Sequence, residues 1–164
     1  MQAPTLNIQN GYVMIFGKKL GLNMLFEEVK SQLGEYTTYE YVYPGEDFND
    51  PFMGNALLVF KNTFIYGISA KVSAEFYRTK LTTINITFDP KKYEMVQNFE
   101  EFPTDKAALE HAAGIIKNWF KQELGKPAYS KGILCPCFES SRYILETSYY
   151  AMYTNYVITL KVKN

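Results

Sequence analysis

The chain of 164 residues carries 17 Lys and Arg against 17 Asp and Glu. It is 47% hydrophobic and 16% aromatic, with 14 Tyr and 12 Phe against one Trp. A chain of this length buries roughly 70% of its unfolded surface in one domain without a metal or disulfide staple, and its apolar content excludes intrinsic disorder. Zero net charge, with Arg78 and Arg142 as the only arginines, speaks against a nucleic-acid partner, and no apolar run approaches the ~18 residues of a membrane span.

The N-terminus has no basic n-region, so no secretory signal is expected. The cytoplasm is then the default compartment, and an extracytoplasmic one would follow if a leader had been removed. Tyr12 to Phe16, between Gly11 and Gly17, reads as a short strand. Asn23 is placed to cap a helix whose apolar stripe is Leu22, Leu25, Phe26, Val29 and Leu33, with Gly34 ending it in a left-handed conformation. The period then switches to two. Tyr39, Tyr41 and Tyr43 alternate with Thr38, Glu40 and Val42 in a strand, and 44–54 (PGEDFNDPFMG) is a loop.

Ala56 to Phe60 reads as the next strand, with Lys61-Asn62 as its turn. From Phe64 to Phe76 every second residue is apolar. Thirteen residues would span roughly 43 Å, longer than most strands, so Gly67 marks a bulge or bend. Arg78-Thr79-Lys80 closes a hairpin onto Leu81 to Phe88. After the connector 91–103, Thr104 caps a second helix with the stripe Leu109, Ala112, Ala113, Ile116, Phe120 and Leu124, Trp119 lying at its edge. Gly125 and Pro127 stop it. Strands follow near Ile133 to Phe138, at Arg142 to Tyr150 and at Tyr156 to Lys163.

These elements predict an α+β fold. An antiparallel sheet of about six to eight strands carries two main helices on one face, and 1–164 forms a single compact domain. Each half contains a helix ending in Leu-Gly followed by antiparallel strands, so 12–90 and 103–164 are a candidate internal duplication, that is, two tandem repeats. Through FEEVKSQLG (Phe26 to Gly34), FKQELGKP (Phe120 to Pro127) and the hairpin from Val72 to Phe88, the organisation resembles the tandem modules of β-lactamase-inhibitor-like proteins and of small outer-membrane-assembly lipoproteins. The resemblance implies a helix-then-sheet module used for binding. The chain lacks the lipoproteins' cysteine near the start and a separated cysteine pair in each module, and no functional residue carries over.

Catalytic and metal chemistry find little support. Gly11 to Gly17 has the wrong spacing for a phosphate loop, since Lys18 is followed by Lys19 rather than Ser or Thr. His111, the sole histidine, has neither a nucleophile nor an acid at a telling spacing. Glu27 and Glu28 diverge by about 100° on a helix and cannot share a proton. Glu46, Asp47, Asn49 and Asp50 lack the twelve-residue calcium-loop pattern. Cys135 and Cys137 flank Pro136 and read as small apolar side chains rather than a redox pair or half a metal site.

No catalytic residue, metal or cofactor is therefore expected. The positive signal is tyrosine: Tyr39, Tyr41 and Tyr43 on one strand, and Tyr149, Tyr150 and Tyr153 near the end. Tyrosine supplies rigid contact area with a polar tip. The expected function is non-enzymatic recognition of a protein partner through an aromatic-rich sheet surface, as in an inhibitor or immunity-type protein. The alternative is a small-ligand or lipid carrier with an apolar cavity between sheet and helices. Nothing in the sequence fixes the oligomeric state.

Overall fold

Two-residue alternation dominates the sequence, and in the computed structural model the described residues form twelve strands around two helices. The structure describes residues 5–43, 55–88, 105–131, 135–150 and 155–164, with side chains throughout except at 105, 106, 108, 109, 112, 150 and 155. In chain order the elements are β1 (Leu6–Asn7), β2 (Tyr12–Ile15), β3 (Lys18–Gly21), α1 (Phe26–Leu33), a 3-10 turn (Gly34–Tyr36), β4 (Thr37–Tyr43), β5 (Asn55–Phe60), β6 (Thr63–Ile65), β7 (Ile68–Tyr77) and β8 (Lys80–Phe88). They continue with α2 (Asp105–Glu123), β9 (Tyr129–Ser130), β10 (Pro136–Glu139), β11 (Tyr143–Tyr150) and β12 (Asn155–Val162).

The first three strands form a small antiparallel sheet. The other nine form a large one in the order β4-β5-β7-β8-β12-β11-β10-β9, with β6 also paired to β7. The expected α+β class, antiparallel sheet and two packed helices are present. Each helix precedes a run of antiparallel strands, and the runs meet where β8 pairs with β12.

Register explains the core. Leu58, Ala74, Ile84, Leu160 and Leu145 stand side by side across five strands, all with no exposed surface. The helices cover this face. Phe26 of α1 meets Phe76 edge-on at 5.1 Å, and Phe120 of α2 meets Phe138 edge-on at 5.5 Å. Val13, Ile15 and Leu20 of the small sheet join the same core. At Gly11, φ is +65° and an added Cβ would lie 2.7 Å from the Tyr143 ring, so only glycine fits there.

Several local expectations change. The helix entrance is fixed by main-chain pairing rather than by an Asn cap. Asn23 and Phe26 donate to the carbonyls of Leu81 and Thr79, and Leu81 donates to that of Met24. Helix α1 therefore starts at Phe26, Leu22 precedes it in a turn, and Leu25 is 49% exposed instead of buried. Gly34 is right-handed, at φ −57°, because the chain tightens into the 3-10 turn.

The long alternating run is a hairpin and not one bent strand. Tyr66 and Gly67 both have positive φ, the signature of a two-residue turn, and β5 and β6 lie end to end along β7. Thus Lys61-Asn62 is a jog within one hairpin arm, and Phe64 faces outward while Thr63 and Ile65 are buried. In α2, Ala113, Ile116 and Phe120 are fully buried as expected, and Gly125 has the left-handed φ of +77°. The stripe positions Leu109 and Ala112 and the cap Thr104 fall outside the described side chains.

Candidate functional site: an aromatic flank on the open sheet face

Residues that alternate with the core row point to the other face of the large sheet. In β4 these are Tyr39, Tyr41 and Tyr43, which pair with Val59, Leu57 and Asn55 of β5. Next along the rows come Ser73, Glu75 and Tyr77 of β7. The three β4 tyrosines are 53, 49 and 59% exposed, and Tyr77 is 57% exposed. The rings of Tyr41 and Tyr43 lie 6.3 Å apart, tilted by 40°. The Arg78 guanidinium sits 5.5 Å from the Tyr77 ring, within cation–π range.

Between these rings runs a groove of about 520 Å³. It is lined by Tyr41, Tyr43, Leu57, Glu75, Tyr77 and Thr82, among others. Thr82 is the extra residue where the β7–β8 register shifts, and its hydroxyl donates to the Glu75 carbonyl at 3.2 Å. The bulge interrupts the regular ladder beside the groove. The hydroxyls of Tyr39, Tyr41 and Tyr43 make no hydrogen bond to any described residue.

On the helix-covered face of β4, Glu40 pairs with Lys30 of α1 at 3.1 Å. That pair lies between the edge strand and α1, and the tyrosines are on the far side.

The second tyrosine group is placed elsewhere. Tyr149 pairs with the buried Tyr156, on the helix-covered face, and is half-buried with its hydroxyl shielded from solvent and without a partner among the described residues. It shares no surface with Tyr39, Tyr41 and Tyr43. The Tyr150 side chain and Tyr153 lie outside the described residues. Sequence reasoning missed Leu57, Glu75 and Tyr77 as neighbours of the β4 tyrosines. The alternation of β5 and β7 is visible in the sequence, but only the strand order brings those positions beside β4.

Other polar groups knit the fold together. The Tyr66 hydroxyl donates to Glu123 Oε2 at 2.6 Å, and the Glu123 carboxylate also accepts the backbone N–H of Thr5 at 3.1 Å and of Leu6 at 3.4 Å. Burial, followed by the hydrogen-bonded carboxylate, pushes the Tyr66 phenol well above its ordinary range. Burial likewise raises Tyr156, against the opposing effect of its hydrogen bond with Thr147.

Cys135 is half-buried and Cys137 buried, both as free thiols. His111 is exposed on α2. Among the described residues no three His, Cys, Asp or Glu side chains cluster as metal ligands, and the acidic positions 46–50 lie outside them. No helix among the described residues is long and apolar enough to cross a membrane. No family model matches the sequence, and neither a curated protein nor a solved structure matches the chain.

Proposed function

We propose that this chain is a non-enzymatic binding protein of the inhibitor or immunity type, which grips a protein partner with the aromatic flank of its open sheet face. One observation carries the reading: Tyr39, Tyr41 and Tyr43 line one face of an edge strand with exposed rings and with hydroxyls that bond no described residue, next to Leu57 and Tyr77. Aromatic anchors of this kind dominate binding energy at protein interfaces. Because the whole chain carries no net charge, long-range steering is weak and affinity comes from short-range burial. In each half a helix is followed by antiparallel strands, as in the inhibitor-type modules that the sequence resembles.

The test is a capture experiment from the source organism with the intact protein, run beside a triple Tyr39→Ser, Tyr41→Ser, Tyr43→Ser variant whose far-UV spectrum and melting point match the parent. A protein retained by the parent and lost by the variant supports the reading. Retention of the same proteins by both sinks it.

A further inference from the structure

A second groove lies at the opposite end of the large sheet, where the last turns of α2 pass over β10. It encloses about 530 Å³, within the roughly 300–1,000 Å³ range of small-molecule sites. Its floor is apolar: Pro127, the buried Pro136 and the buried Phe138, which is braced edge-on by Phe120 of the core. Its rim is basic. Lys117 and Lys121 stand one helical turn apart on α2, and Lys126 follows just past the Gly125 cap. Among the described residues no acidic side chain lines it.

Among the described residues neither Lys121 nor Lys126 is in an ion pair. The carbonyl end of α2 opposes an anion here with about half a negative charge, against the full positive charges of Lys121 and Lys126. On the neighbouring strands Lys131 and Lys161 share Glu146, and Lys163 meets Glu139. An apolar trough under Lys121 and Lys126, in a chain of zero net charge, is complementary to a molecule with one negative head and an aliphatic tail.

We infer that this groove binds a free single-chain carboxylate, its tail lying along Pro127, Pro136 and Phe138 and its head between Lys121 and Lys126. The apolar floor disfavours a bare inorganic anion, and the rim disfavours a neutral or cationic amphiphile. This site is separate from the aromatic flank and does not depend on the protein-binding reading.

The probe is decanoate, titrated calorimetrically into the intact protein at low salt and below its micelle concentration. One molecule should bind per chain. Affinity should rise about fourfold for each methylene added from hexanoate to decanoate, and should fall as salt is raised. The double variant Lys121→Glu, Lys126→Glu should weaken decanoate at least about tenfold, with a milder loss in Lys121→Gln, Lys126→Gln. Lys71→Glu, an exposed site on the open sheet face, should change nothing. Four results would each overturn the assignment: equal binding by the parent and both double variants; acetate binding as tightly as decanoate; decyltrimethylammonium binding as tightly as decanoate; or binding only of an acidic aromatic peptide.

Discussion

Along one row of the open sheet face, Tyr39 and Val59 stand at one end, Ser73, Asn85 and Thr159 in the middle, and Glu146 at the other end. The row beside it runs from Tyr41 and Leu57 through Glu75 and Thr83 to Lys161 and Ile144. The backbone pattern is the same throughout, yet the two flanks behave differently. On the β8-β12-β11 flank the polar groups satisfy each other. Thr159 donates to Asn85 Oδ1 at 2.8 Å, and Glu146 lies 3.4 Å from Lys161 and 3.6 Å from Lys131. On the β4-β5-β7 flank, rings and tyrosine hydroxyls are left facing outward. A sheet face with its polar groups paired internally has little to offer a partner, whereas exposed rings on an edge strand gain by being covered.

The sharpest test of face assignment uses two neighbours in β5. Leu58 belongs to the buried row and Leu57 to the aromatic flank. Leu58→Ala should cost about 2–5 kcal/mol in urea unfolding, as for other buried leucines. Leu57→Ala should cost less than about 1 kcal/mol. Equal losses would mean that the flank is packed rather than open.

The next effect is on binding. Tyr41→Ala should weaken capture of a protein partner at least about thirty-fold, roughly 2 kcal/mol, while stability moves by less than about 1 kcal/mol. Thr159→Ala, at the polar flank, should leave capture unchanged. If the two substitutions act alike on capture, the chemical division of this face has no bearing on recognition.

Much of the fold was legible in the sequence, and the reason is periodicity. Ile84, Ile86 and Phe88, and Ile158 and Leu160, alternate strictly and are all buried. The α2 stripe through Ile116 and Phe120 was equally plain. Turns and strand neighbours were harder. A two-residue hairpin at Tyr66-Gly67 leaves alternation on both sides of it, so only the conformation of Tyr66 and Gly67 separates it from a bend in one long strand. The start of α1 was misplaced because its entrance is set by hydrogen bonds to Thr79 and Leu81, more than fifty residues away. The candidate site was half visible. The tyrosines of β4 stood out as a stripe, but Tyr77 and Leu57 reach them only through strand order. Tyr149 is carried to the other face because its partner, Tyr156, is a core residue.

The smallest predicted effect tests the other side of the comparison. Glu146 is partly exposed and lies between Lys131 and Lys161. Exposed and half-exposed pairs contribute little, because the charges remain hydrated and holding long side chains costs entropy. Glu146→Gln should therefore lower stability by about 1 kcal/mol or less, and the loss should shrink as salt screens the lysines. A double-mutant cycle with Lys161→Met isolates the pair, since each single variant also alters the exposure of β11 and β12. A coupling above about 2 kcal/mol, insensitive to salt, would make this cluster a buried structural network instead of a solvated surface. Partner capture should be untouched by Glu146→Gln. A loss there comparable to that of Tyr41→Ala would move the contact surface across the sheet and break the distinction between its two flanks.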